Sequence, residues 1–514
     1  MAQSSRVLLA AVLAVAVFIT VGIARWQSRP GPAPTPAAVT STCGGQPLTA
    51  TRELRGMWLT TVNNTDFPSR PGLPEEQVKA EYRGWLDLAQ KRGHNAVFVH
   101  VRPAGDAFWE SDYAPWSYYL TGRADGQGPG WDPMAFMIDE THARNMEFHA
   151  WFNPYKAYRS GVFAELPADH PLRAHPDWSV AYPAKGKGSR LYYNPGIPEA
   201  RKFVEDSILD AVNRYDLDGV HFDDFFYPYP SGREDFNDAA TFKAQARGIT
   251  NKADWRRDNV NLFVRETNER IKAAKPWVKF GISPFGIWRN ASTDPDGSPT
   301  RGLQSYDAIY ADTRQWVRER WVDYIVPQLY WHIGFSVADY AKLLPWWSDL
   351  VANGPVQLYI GQADYRIGQK GAWSNPAELD RQLDLNRKYR VTGSIHFSAR
   401  QVKADRLGAV SRYATAHYSD PALVPAMSQL PGKRPSAPEL DAERVDEGVR
   451  LSWDGDATSY AVYRVDGEGG RLVATTRGTT WMDTTRSESS RTYCVTGLDR
   501  LWNEGNASEP RVVS

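Results

Sequence analysis

The sequence predicts an α/β protein: a closed (β/α)8 TIM barrel followed by a small all-β sandwich. Three observations carry this. Between Glu53 and His417, short β-rich runs alternate eight times with amphipathic stretches. Such alternation builds parallel βα units, and eight of them over this span match one closed barrel. A doubly wound sheet is the runner-up. It calls for a Gly-rich phosphate turn after an early strand, and Arg102-Pro103-Ala104-Gly105 does not fit that turn. After Leu430 the helical spacing stops, and short alternating runs separated by turn residues take over.

The eight β-rich runs are 54–60, 96–102, 147–152, 217–224, 278–283, 324–330, 356–360 and 393–397. Helical spacing follows each, over 74–92, 132–144, 198–215, a stretch ending near Lys275, then 306–320, 337–351, 376–389 and 401–417. A long excursion separates the third run from its helix. The barrel is expected over 49–430 and the sandwich over 439–514. Pro431 to Pro438 makes a linker over 431–438, which implies few contacts crossing it.

The amino terminus reads as an export segment. Arg6 precedes an uncharged run from Val7 to Ala24, and Arg25 follows it. Residues 1–25 are therefore a signal peptide or an N-terminal membrane anchor, the run being close to the length of a spanning helix. Residues 26–48 form a Pro/Ala-rich spacer. Both versions place the rest of the chain outside the cytoplasm, secreted or anchored at the cell envelope. Cys43 and Cys494 can pair across the chain in an oxidising compartment or stay as two inert thiols.

Composition narrows the partners. Lys plus Arg (60) balances Asp plus Glu (60), so no nucleic-acid partner is expected, and membrane contact only through the amino-terminal segment. The 20 Trp and 25 Tyr suit a cleft that stacks on sugar rings, although core packing uses the same residues.

The richest stretch is Asp218-Gly219-Val220-His221-Phe222-Asp223-Asp224-Phe225-Phe226-Tyr227. Asp218-Gly219 reads as the turn into a buried strand. Val220 and Phe222 share one face, His221 and Asp223 the other. Asp224 sits where the strand ends. Barrel active sites lie at the carboxyl ends of the strands, and glycosidic hydrolysis needs one carboxylic acid and one carboxylate. Asp223 and Asp224 are the catalytic candidates. His221 is placed to hold Asp223 ionised, and the aromatic run after Asp224 to raise its pKa. The same acids also fit an N-cap and a structural aspartate. Asp106 or Asp364 can replace either partner.

Around them the other strand ends deliver groups for sugar binding: Arg102, Asn153 and Tyr155, then Trp288, Gln328, Tyr330, Trp331 and Asp364, together with His221. Asp106, Lys156, Phe285 and Tyr365 stand at the same level. The histidines are scattered, without metal-ligand spacing, so neither metal nor cofactor is expected. A carboxylate metal site made by His221, Asp223 and Asp224 is the alternative. There is no G-x-S-x-G elbow.

Glu53-Leu54-Arg55-Gly56-Met57-Trp58, Val99-His100-Val101-Arg102-Pro103, His149-Ala150-Trp151-Phe152-Asn153-Pro154-Tyr155, the fourth-strand stretch and Val326-Pro327-Gln328-Leu329-Tyr330-Trp331 together resemble the bacterial glycosyl-hydrolase-like 10 family. The resemblance covers most of Glu53 to about His417. It implies a (β/α)8 barrel of exported proteins and an envelope polysaccharide as substrate, since one studied branch cleaves peptidoglycan glycan strands stripped of their peptides. A distant likeness to chitinase-type barrels, whose fourth strand reads D-G-x-D-x-D-x-E, breaks at Phe225, which replaces the essential acid. His221-x-Asp223 also matches the nucleophile spacing of amylase-type barrels. From Pro435 onward, Trp453, Tyr460-x-Val462-Tyr463 and Tyr493 to Asp499 resemble a fibronectin type III domain. The competing reading is a catalytically inactive barrel that binds or scaffolds cell-wall sugar, favoured by the lack of a Glu at the fourth or fifth strand end.

Overall fold

The computed structural model describes residues 41–183, 188–466, 469–485 and 489–514. The export segment expected at 1–25, and the spacer up to residue 40, lie outside the described residues. Among the described residues, no helix is long and apolar enough to cross a membrane.

Eight parallel strands close into a barrel. They are β1 (Leu54–Leu59), β2 (Ala96–Arg102), β3 (Glu147–Phe152), β4 (Gly219–Phe222), β5 (Lys279–Ile282), β6 (Tyr324–Ile325), β7 (Gln357–Gln362) and β8 (Val391–His396), with β8 pairing back onto β1. β1 to β5 are buried throughout. Parallel strands covered by helices outside and side chains inside have this character. Helices Glu75–Lys91, Pro133–Ala143, Pro198–Arg214, Lys252–Ala274 and Tyr340–Val351 make up much of the outer layer.

Several elements differ from the sequence reading for local reasons. The sixth run, expected to 330, pairs as a strand only over Tyr324–Ile325. Pro327 has no N–H to give to a ladder, and Gln328 rejoins through single bridges to Phe285 and Gly361. The helix expected over 306–320 splits into Ser305–Ala308 and Thr313–Arg318, with Tyr310 between them at φ 58°. The one expected over 401–417 splits at Asp405, Leu407 and Gly408, all at positive φ. A left-handed residue cannot continue a right-handed helix.

Gly219 does not turn the chain; it opens β4. A Cβ there would lie 2.3 Å from His149 Nδ1, and one on Gly281 would lie 2.1 Å from a ring carbon of Tyr324. The two glycines make room for rings that fill the barrel. Asp218, just before the strand, accepts from the Phe148 N–H and from His142 Nε2, both at 2.8 Å.

The sandwich follows. One sheet comprises Glu439–Val445, Gly448–Asp454 and Thr480–Asp483. The other orders Gly469–Thr476, Ser459–Asp466, Arg491–Leu498 and Glu504–Ala507, with Arg511–Val513 also on Arg491–Leu498. Trp453 packs against Tyr460 between them, at 5.5 Å between ring centres. This is a fibronectin type III-like arrangement.

Residues 41–48, expected in the spacer, are built into this second sheet. Thr42–Cys43 pairs with Gln46–Thr49, which adds in parallel to Gly469–Thr476. Cys43 is bonded to Cys494. The chain then crosses to the barrel, where Thr51–Arg52 pairs with Ala422–Leu423. Contacts between sandwich and barrel are accordingly many, not few as the linker composition suggested. Arg52 bonds Glu504 at 2.7 Å. Leu472, Leu498, Leu501 and Trp502 join Trp58, Phe98 and Tyr324 of the barrel in one apolar cluster. Linker composition reports backbone flexibility, not the apolar surface on either side of it.

Candidate active site

Asp223 and Asp224 follow β4 directly, at the carboxyl end of the barrel. Asp223 is half-buried. Its Oδ1 accepts the Asp224 backbone N–H at 2.9 Å and Gln328 Nε2 at 3.1 Å. The same Gln328 nitrogen donates to the Ser283 carbonyl at 2.8 Å, so backbone of the fifth strand end fixes the amide that holds the acid. Asp224 is 4% exposed, and the Tyr229 hydroxyl donates to its Oδ2.

The two acids differ in electrostatics. Burial raises both, and Asp224 is raised well above the usual carboxylate range because the Asp223 charge adds to its desolvation. Asp223 is raised less: Lys156, the Asp224 N–H and Gln328 favour its charged form. Close carboxylates titrate as a pair, and the geometry places the shared proton on Asp224. A carboxyl held protonated and one that favours its charged form thus stand side by side at the end of β4.

Lys156 has a larger part than the sequence reading gave it. It is buried, and its ammonium lies 3.6 Å from the centre of the Phe225 ring. Burial pulls its pKa down to about 8, against the pull of Asp223 and Asp224. Tyr155, expected at the mouth from its strand position, instead packs on Phe263 of the outer helix at 4.9 Å and lies away from the acids. The backbone after β3 turns into the strand Lys156–Tyr158 of the excursion, and a simple count of alternation fails there.

An aromatic rim surrounds the pair. Phe225, Tyr229, Phe285 and Trp331 meet in sequence, edge to face, at 5.8, 6.2 and 5.5 Å between ring centres. All four are half-buried, so they offer ring surface beside the acids. Tyr330 stands close by, against Tyr365 at 5.6 Å, with Asp223 and Asp224 pushing its hydroxyl pKa up further than burial alone does. Gln328, Tyr330 and Trp331 are thus brought together with the acids.

Other candidates are placed elsewhere. His221 is fully buried inside the barrel and does not support Asp223. Its Nδ1 meets the Tyr324 hydroxyl at 3.3 Å, and its Nε2 meets Trp58 Nε1 at 3.3 Å and Ser283 Oγ at 3.1 Å. Indole N–H only donates, so Nε2 is the acceptor and the ring is neutral; burial pushes its pKa well down. Its nitrogens are therefore turned to other partners than the acids, which also removes it from the alternative metal set. Trp288 is held outward, donating to Asp312 at 3.0 Å under Arg314. Asp364 pairs with His396 at 3.0 Å. Asp106 is occupied by the Ala104 N–H at 2.8 Å. Arg102 is buried and donates to the Pro154 carbonyl at 3.2 Å, and Asn153 donates to that of Pro103 at 3.3 Å, both as wall behind the cleft. A strand-end position says which residues approach the mouth; the partner each side chain finds decides which one faces it.

Comparison with known proteins agrees with this architecture. Over 479 residues the chain is 48% identical to the glycosyl hydrolase YngK of Bacillus subtilis (strain 168), covering 89% of this chain and 93% of that protein. Over 393 residues it is 39% identical to the glycosyl hydrolase DigH of Escherichia coli (strain K12), covering 71% of this chain and 88% of that one. Residues 53–376 match the family described as Glycosyl hydrolase-like 10, and the chain belongs to that family.

Proposed function

We propose that the protein is an exported glycoside hydrolase cleaving O-glycosyl bonds of a bacterial cell-envelope polysaccharide, the glycan strands of peptidoglycan. The observation that carries hydrolysis is the unequal carboxyl pair at the end of β4. Asp224, protonated, gives its proton to the glycosidic oxygen as that bond breaks. Asp223, ionised, attacks the anomeric carbon or takes the proton of the water that does. The aromatic rim stacks on the sugar rings, and no cofactor takes part in the reaction proposed. The envelope substrate is supported by the family resemblance. Export is supported by the apolar run from Val7 to Ala24 and by the Cys43–Cys494 bridge, of a kind that persists in oxidising compartments.

The test is turnover of purified, peptide-free glycan strands, with products identified by mass spectrometry and anomeric configuration by NMR. Asp223→Asn and Asp224→Asn should each lower turnover by about two or more orders of magnitude. Near-normal turnover in both overturns the assignment. A sugar-binding role without catalysis is the second reading, favoured by Phe225 at the position of the chitinase acid. Glycan binding without product formation would establish it. Recovery of the native protein in the cytosol would overturn export.

A further inference from the structure

The excursion between β3 and β4 carries three cations that make no direct ion pair among the described residues. Its strands Lys156–Tyr158 and Ser189–Tyr193 pair antiparallel, with Lys156 opposite Tyr192. Lys156, Arg159 and Arg190 lie on or beside this pair. Among the described residues, none of the three is within ion-pair distance of an acid. Arginines on the neighbouring helices are paired: Arg201 with Glu266 at 2.8 Å and Arg256 with Asp238 at 2.6 Å.

Lys156 stands beside the acid pair, and the strand pairing carries Arg159 and Arg190 outward from it along the same excursion. The Lys156 ammonium rests on the Phe225 ring and finds no acceptor among the described residues, although Asp223 and Asp224 are near enough to attract it and Arg190 near enough to repel it. The Tyr119 hydroxyl stands in the field of both Arg159 and Arg190. The Arg159 guanidinium lies 4.5 Å over the Tyr118 ring, and its Nε is buried without a hydrogen-bond partner. Arg159 and Tyr118 line a cleft with Trp116, Arg123, Tyr158 and Asp106. The Asp106 carboxylate there already accepts the Ala104 N–H.

Gathering like charges and burying one of them is unfavourable. An anionic ligand removes that penalty, and a guanidinium fork suits a carboxylate in particular. We infer that Lys156, Arg159 and Arg190 form a subsite for a carboxylate-bearing sugar unit beside the cleaved bond, so that the protein selects an acidic glycan. This rests on the hydrolase reading of Asp223 and Asp224. Free carboxylates on stripped glycan strands offer the group; a carboxylate converted to an amide does not.

The test compares peptide-free glycan oligosaccharides bearing free carboxylates with the same oligosaccharides after conversion to methylamides. Turnover and calorimetric binding are measured on the full chain. The acidic form should have a kcat/KM on the order of tenfold higher, with the preference shrinking as salt rises. Arg159→Gln and Arg190→Gln should bring the ratio toward one, and Arg190→Lys should restore much of it. Equal kcat/KM on both forms overturns the subsite and leaves the hydrolase intact. So does a preference that the double Gln variant keeps. If neither form is cleaved, tighter binding of the acidic form that Arg190→Gln abolishes upholds the subsite and overturns the hydrolase reading. Equal or absent binding overturns both.

Discussion

Trp502 of the sandwich donates its indole N–H to Glu147 at the foot of β3, 2.7 Å away. Glu147 is buried and also bonds His149 at 2.8 Å and Lys279. A sandwich residue thus completes the hydrogen bonding of a buried acid in the barrel floor. Trp502→Phe removes that donor while keeping most of the apolar contact. It should cost about 1–3 kcal/mol, the penalty of an under-satisfied buried group. Trp502→Ala should cost about 3–5 kcal/mol through the cavity it adds. Truncation after Leu430 should destabilise the barrel further, by baring Leu423, Val424 and Met427. Calorimetric melting of the three proteins decides this. A truncated barrel as stable as the full chain would show that the floor needs no sandwich.

Gln328→Leu removes a hydrogen bond that favours the Asp223 carboxylate. The Asp223 pKa then rises, so the acidic limb of the pH–rate profile should move to higher pH. Turnover at neutral pH should fall by about one to two orders of magnitude, in line with loss of a charge-orienting contact. Gln328→Glu adds a negative charge beside Asp223 and should move the limb in the same direction and further. An unmoved limb in both variants would separate Gln328 from the titrating group.

Much of this was legible in the sequence because its signals are local. Eight changes of hydrophobic period gave the barrel, and two adjacent acids after Val220-His221-Phe222 marked the mouth. What the sequence could not show is which partner a side chain finds across the barrel. His221 shares a strand face with Asp223, yet Trp58 and Tyr324 claim its ring. Trp288 follows a strand end, yet Asp312 draws it outward. Lys156, not Tyr155, faces the acids because a new strand begins there. The pairing of Cys43 with Cys494 depends on the amino-terminal strands adding to the sandwich, which no spacing reveals.

His221→Leu tests the correction at that residue. Trp58 Nε1 loses its acceptor inside the barrel, so stability should fall by about 1–3 kcal/mol. Both limbs of the pH–rate profile should stay in place, because a neutral, fully buried imidazole takes no part in the titration of the acids. A shifted acidic limb would mean that His221 does tune Asp223.

Asp224 gives a stability signature that depends on its proton. Its pKa in the folded protein is raised above the ordinary carboxylate value, by burial first and by the Asp223 charge second. Over the window between those two values, the folded state holds a proton that the unfolded chain has released. Stability therefore falls as pH rises through that window, and above it the loss is complete. Asp224→Asn removes this titration and the repulsion with Asp223. At pH well below about 4, where both forms are neutral, the melting temperatures of wild type and variant should be close. As pH rises toward neutrality, the variant should become progressively the more stable. Asp223→Asn should show the same trend with smaller amplitude, since Lys156 and Gln328 already favour the Asp223 charge. The measurement is thermal unfolding of all three proteins between pH 3 and pH 8. A difference between wild type and Asp224→Asn that does not change with pH would mean that Asp224 carries no raised pKa, and it could then not serve as the acid.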